Sequence, residues 1–167
     1  MTGPITERIA LIPGSFDPIT YGHIDIVKRA LDKYDTVIVA IMINPSKKYM
    51  FTMKQRERIA KAALAEFSNV KVITSEGMLW KLALDLNACA IVKGYRNEND
   101  LEYENEMARF NTEHNPNAPT VLFKASEELE NISSTRVREK ILNGESLKNL
   151  LPDAAIAEIN KIIVRYI

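Results

Sequence analysis

The sequence predicts an α/β fold, a single doubly wound domain on a five-stranded parallel sheet with further helices at the C-terminal end. Three observations predict it. Five short apolar runs alternate with segments of helical period, as in βαβ units. The segments between runs are long enough for right-handed crossovers. No repeat, linker or low-complexity tract interrupts residues 1–167, a length that suits one core.

The runs at 8–13 (RIALIP), 36–44 (TVIVAIMIN), 70–75, 90–94 and 120–126 read as buried strands of an open, Rossmann-like sheet. Helices are expected at 22–34, 77–88 and 100–114. A further helix starts at Thr52, whose spacing to Gln55 makes a capping box. Ile59, Ala60, Ala63, Leu64 and Phe67 form its apolar stripe. A helical pair at 134–142 and 153–166 ends the chain, parted by Asn143-Gly144, with Pro152 where the second member begins.

Lys and Arg total 22, as do Asp and Glu, so the formal net charge is zero. That excludes the basic footprint which nucleic acid or an anionic membrane requires, and leaves room only for a local cationic cluster. No apolar run approaches the roughly 20 residues that span a bilayer. The first residues lack the basic stretch and long apolar core of a secretory signal, so a cytoplasmic location is expected. Cys89 is the only cysteine. It cannot form an intrachain disulfide or a cysteine-rich zinc site, and its place after an apolar segment predicts burial.

In an open α/β sheet the ligand lies beyond the carboxyl ends of the strands. Gly14-Ser15 follows the first strand, Pro45-Ser46-Lys47-Lys48 the second, Glu76-Gly77-Met78-Leu79 the third and Tyr95-Arg96 the fourth. Gly14 permits close backbone approach, and Ser15 offers a hydroxyl and an N–H. Gly22 and His23 fall at a helix start, where free N–H groups favour phosphate and His23 can donate to phosphoryl oxygens. Capping the helix is the other use of that histidine. The run is neither a Walker A loop nor a GxGxxG fingerprint. Lys47 places an ammonium at a strand end or is a solvated loop lysine. Lys93, at the end of a buried strand, must face a pocket or a counter-ion. Arg96 can grip phosphate oxygens with a planar fork, beside a permissive Gly94. Glu104, entering a helix beside Glu102 and Glu106, has the residue type of an ordinary solvated helix acid. The hydroxyls of Ser133, Ser134 and Thr135 make a helix cap that suits an anion. Core packing is the expected use of Trp80.

Gly14-Ser15-Phe16-Asp17-Pro18 with Thr20, Gly22 and His23 resembles the nucleotidyltransferase signature, in the GSFDPxTxGH form of phosphopantetheine adenylyltransferases. The likeness continues through Ser46-Lys47-Lys48, Met50-Phe51-Thr52, Lys93-Gly94-Tyr95-Arg96, Asp100, Glu102-Tyr103-Glu104 and Ile132-Ser133-Ser134-Thr135, in order over nearly the whole chain. It departs at Lys93, where the family usually has Arg; Lys keeps the charge but loses the fork.

The resemblance implies transfer of the adenylyl group of ATP to 4′-phosphopantetheine, giving dephospho-coenzyme A and pyrophosphate. It implies catalytic roles for His23, Ser15 and Lys47. ATP contacts would come from Ser15, Phe16, His23, Gly94, Tyr95, Arg96, Glu104, Leu129, Glu130, Asn131, Ile132, Ser133, Ser134 and Thr135. Ser15, Lys47, Leu79 and Lys93 would hold the acceptor. Mg²⁺ would ride mainly on the ATP phosphates, with no metal ligands from the protein. A homohexamer is implied, with coenzyme A a possible feedback ligand. Nicotinamide-mononucleotide adenylyltransferases and glycerol-phosphate cytidylyltransferases share pieces of these motifs but carry His where Thr20 stands. A non-catalytic nucleotide-binding module is the remaining alternative, against which His23, Ser15 and Lys47 together argue.

Overall fold

The computed structural model describes residues 6–164. Its five parallel strands are β1 (Ile9–Gly14), β2 (Thr36–Met42), β3 (Val70–Ser75), β4 (Ala90–Tyr95) and β5 (Thr120–Lys124), in the order β3-β2-β1-β4-β5. The helices are α1 (Tyr21–Leu31), α2 (Met53–Ala63), α3 (Leu79–Asp85), α4 (Glu98–His114), α5 (Ser134–Leu142) and α6 (Asp153–Val164). The chain winds outward from β1 to β3, then returns to lay β4 beside β1. With right-handed crossovers, that reversal sends α1 and α2 to one face and α3 and α4 to the other. The β1–β4 boundary is therefore the topological switch point, where a crevice opens at the carboxyl edge.

Alternation along the strands feeds two cores. Ala10, Ile12, Val37, Val39 and Ile41 point with Ile24, Val27, Ile59, Val137 and Ile159 into the larger one. Leu11, Ile38, Ala40 and Ile91 meet Ala83 and Ala88 on the opposite face. The central strands are buried as expected, but β3 and β5 are only partly so. Both are sheet edges, so Lys71 and Lys124 reach solvent there. Cys89 is half-buried rather than buried, as it precedes β4 in the rim where its N–H donates to the Ile9 carbonyl at 2.8 Å.

The capping box of α2 forms as the sequence predicts: Gln55 N–H donates to Thr52 Oγ1 at 3.2 Å and Thr52 N–H to Gln55 Oε1 at 3.0 Å. α3 is shorter than expected because Asn87 adopts φ 53°, a left-handed conformation that ends it. α4 begins earlier than expected because the Asn97 side chain accepts from Asp100 N–H at 2.9 Å and caps it. The last helix runs to Val164, and Tyr166, expected in it, lies outside the described residues.

Candidate active site

The segments after β1 and β2 meet the start of α5 at the switch point, with Arg96 after β4 close enough to act on His23. The turn after β1 is built around Phe16, which takes φ 48° and folds its ring into the core. A Cβ on Gly14 would stand 2.9 Å from that ring, so glycine is required there by the fold itself. Burial leaves Phe16 only its backbone for a ligand. Among the described residues, neither Ser15 N–H nor Phe16 N–H donates to a protein acceptor.

Asp17, expected only as part of the motif, is the lock of the site. It is buried, and its carboxylate accepts from Met50 N–H at 2.9 Å and Phe51 N–H at 3.0 Å, pinning the segment after Lys47 to the first turn. Arg138 donates to the Asp17 carbonyl at 2.8 Å, and Ser134 Oγ to the Pro18 carbonyl at 2.8 Å. These two contacts fasten α5 to the same turn. Arg56, which the sequence reading left out, is buried beneath it and donates through Nη1 to the carbonyls of Ser15 (2.7 Å) and Met42 (3.2 Å). Its place on the apolar stripe, three residues before Ile59, was the available signal.

His23 is the third residue of α1. Thr20 N–H donates to its Nδ1 at 3.0 Å, which leaves the ring proton on Nε2. The ring packs edge-on to Phe16, with centroids 5.0 Å apart. Burial, and next the Arg96 cation, lower its pKa to about 4. The ring is then neutral at physiological pH and held as an Nε2–H donor, so capping and donation coexist in one side chain. The expected free N–H groups at this helix start are not there. Tyr21 N–H donates to the Leu150 carbonyl at 2.9 Å and Gly22 N–H to Thr20 Oγ1 at 3.2 Å. Free N–H groups come instead from α5, where Ser133 Oγ caps only Arg136 N–H, at 3.1 Å. Ser134 and Thr135 N–H make no hydrogen bond to a described residue. That exposed, N–H-rich helix start suits an anion.

Lys47 is exposed in the turn after β2 and forms no ion pair with a described residue. Lys93 meets a counter-ion, with Nζ 2.6 Å from Glu104 Oε2 and both side chains largely buried. The two residues expected on separate substrates are thus partners. The bare Cα of Gly94 admits Ile26 of α1, whose atoms would lie 3.3 Å from a Cβ, so helix packing explains this glycine. Tyr95 closes β4, and Arg96 is exposed, its Nε 3.7 Å from Asp100 Oδ2. Leu129 and Glu130 end a 3-10 turn leading to α5, and the Asn131 carbonyl accepts from Arg136. Ile132 packs on the core, and Thr135 Oγ1 accepts from Arg138 at 3.1 Å. Leu79 opens α3 against the second core. Trp80, expected in the core, is half-buried and stacks on His114 with centroids 5.2 Å apart.

A neutral imidazole held as an Nε2–H donor, the Arg96 cation that acts on it, and the free N–H groups of Ser15, Phe16 and the start of α5 lie at the carboxyl edge of a doubly wound sheet, where such folds take phosphorylated ligands. Residues 11–140, from β1 into α5, match the Cytidylyltransferase-like family. The chain is 40% identical over 146 residues to the phosphopantetheine adenylyltransferase of Caldanaerobacter subterraneus subsp. tengcongensis, covering 87% of this chain and 91% of that protein. It is 38% identical to that of Clostridium tetani (92% and 96% covered) and 41% identical to that of Streptococcus pyogenes serotype M1 (93% and 96%). The chain belongs to the cytidylyltransferase-like proteins and, within them, to the phosphopantetheine adenylyltransferase family.

Proposed function

We propose that this chain transfers the adenylyl group of ATP to 4′-phosphopantetheine, releasing dephospho-coenzyme A and pyrophosphate. Family membership supports the reaction. The observation that carries the mechanism is the tautomer of His23, a neutral ring whose Nδ1 is occupied by Thr20 N–H and whose Nε2–H is left to donate. An oxygen of the acceptor's phosphate attacks the α-phosphorus; the bond to the β-phosphate's bridging oxygen breaks, and its electrons leave with pyrophosphate. The nucleophile is already an oxyanion, so no general base is required. Positioning and charge stabilisation then supply most of the rate.

His23 Nε2–H stabilises charge that grows on the α-phosphate. Ser15 orients the acceptor phosphate, and Lys47 and Lys93 offer it cations. Arg96, Glu104 and the start of α5 serve the nucleotide. Among the described residues no group of three or more His, Cys, Asp or Glu is placed to hold a metal. A Mg²⁺ held by the polyphosphate would neutralise charge there and ease pyrophosphate departure. Tyr103, Met107 and Phe110 lie along one exposed side of α4, which supports a homo-oligomer built through that face, a hexamer by family resemblance. Coenzyme A, which contains the product, is a candidate feedback ligand of the same site. Among the described residues no helix is long and apolar enough to cross a membrane, in keeping with the cytoplasmic location we propose.

The test is pyrophosphate release from ATP or CTP across a panel of acceptors: 4′-phosphopantetheine, nicotinamide mononucleotide, glycerol 3-phosphate and none. Release with ATP and 4′-phosphopantetheine alone is expected. Release only with another acceptor would replace the substrate, and no release with any would leave a binding module.

A further inference from the structure

Tyr49 stands in the loop between Lys47 and the segment that Asp17 pins, and neither the motif chemistry nor the mechanism above uses it. Its hydroxyl lies at the first-turn serine, 3.4 Å from Ser15 Oγ. The phenolic oxygen accepts from Asn44 N–H at 2.6 Å, which occupies it as an acceptor and leaves its proton to be donated. Among the described residues that proton has two acceptors, Ser15 Oγ and the Asn44 carbonyl, each 3.4 Å away and beyond good hydrogen-bond length for hydroxyls. A strong, charged acceptor beside Ser15 would satisfy it better.

The ring is held rigidly for such a task. The Arg56 guanidinium lies 4.0 Å from the ring centroid, and the same guanidinium is fixed by the carbonyls of Ser15 and Met42. On the chain's far side, Met50 and Phe51 N–H are tied to Asp17. Arg56 is buried and, although the Asp17 carboxylate acts on it at longer range, forms no ion pair within 4.0 Å among the described residues, so a cation stands behind the two hydroxyls. Two hydroxyls thus stand side by side on different strand-end loops, backed by a buried cation.

We propose that the Tyr49 hydroxyl, beside Ser15 Oγ, donates a hydrogen bond to the phosphate of the acceptor and so helps select a phosphorylated over an unphosphorylated pantetheine. The proposal rests on the adenylyl transfer described above. Tyr49→Phe removes the hydroxyl and keeps the ring on Arg56, so the fold is retained. Titration calorimetry of 4′-phosphopantetheine, pantetheine and ATP reads the effect, in the wild-type and Lys47→Ala backgrounds. A hydrogen bond to a charged group predicts a loss of about 10-fold or more in 4′-phosphopantetheine affinity. Pantetheine and ATP should change by less than about 2-fold, since neither loses a bond to this hydroxyl. The loss should persist when Lys47 is Ala, because the contact is direct.

Wild-type affinity in Tyr49→Phe would overturn the proposal. So would an equal loss for pantetheine, or a loss that vanishes in the Lys47→Ala background, where Tyr49 would act only by placing the Lys47 loop. A wild-type chain that does not bind 4′-phosphopantetheine at all would overturn the acceptor assignment and this proposal together.

Discussion

Replacing Lys93 with Met probes the one place where two expected substrate contacts are found paired. Lys93 Nζ and Glu104 Oε2 are 2.6 Å apart, with side chains 23% and 13% exposed. Breaking a fully buried pair by removing one partner costs about 3–5 kcal/mol, and an exposed pair is worth less than about 1 kcal/mol. This geometry lies between, so Lys93→Met should cost roughly 2 kcal/mol by leaving Glu104 charged and uncompensated. For a chain of this size that lowers Tm by about 4–8 °C, measurable by calorimetry without substrates. Lys93→Met/Glu104→Leu removes the orphaned carboxylate as well and should recover most of that stability. If Lys93 also serves the acceptor phosphate, both variants should bind 4′-phosphopantetheine about 10-fold or more weakly. A double variant with restored Tm and wild-type acceptor affinity would refute that role and reduce Lys93 to the keeper of Glu104.

Other expectations follow from the same geometry. His23→Ala should lower single-turnover rate by about 10²–10³ while ATP affinity changes only a few-fold, as for a donor that acts on developing charge; a rate within a few-fold of wild type would remove His23 from the mechanism. Because His23 titrates near pH 4 in the fold against an ordinary 6.5, the unfolded chain takes up the proton first, and stability falls as pH drops from about 6.5 toward 4. The upper limit is about 3 kcal/mol, reduced by the ring's partial exposure; urea unfolding of wild type and His23→Gln at pH 7 and 4.5 measures it, with equal losses contradicting the shift. Lys47→Ala should weaken 4′-phosphopantetheine binding and spare ATP, since this exposed cation follows β2, a different element from the α5 start that offers free N–H groups; the reverse pattern in calorimetry would move it to the nucleotide side. Phe110→Glu should lower the oligomer mass in analytical ultracentrifugation by placing a charge on the apolar side of α4; an unchanged mass would put the interface elsewhere.

Continuous apolar runs made β1 and β2 readable, because a strand covered on both faces has no polar alternation to obscure it. The Thr52–Gln55 box located α2 to the residue for an equally local reason. Boundaries failed where a single side chain decided them: Asn87 turning left-handed and Asn97 capping α4 carry no periodic signal. For the site, strand-end positions and the family likeness brought Ser15, His23, Lys47, Arg96 and Ser133 to one edge. What holds them was not legible. Asp17 reaches Met50 and Phe51 across 33 and 34 residues, Arg56 crosses 41 to Ser15, and Arg138 crosses 121 to Asp17. Such contacts depend on tertiary placement rather than spacing. The buried Arg56 is hard to read in sequence, because an arginine in a charged helix ordinarily keeps its head in water, although it falls on the stripe with Ile59, Ala60 and Ala63.

The central claim is that the α-phosphate of ATP ends on the phosphate of 4′-phosphopantetheine. Incubating the wild-type chain with ATP labelled at the α-phosphorus, Mg²⁺ and 4′-phosphopantetheine tests it directly. Label should appear in dephospho-coenzyme A, one for each pyrophosphate released, and should stay in ATP when pantetheine replaces the acceptor. Label released as free AMP, or retained in ATP while 4′-phosphopantetheine is present, would contradict the account.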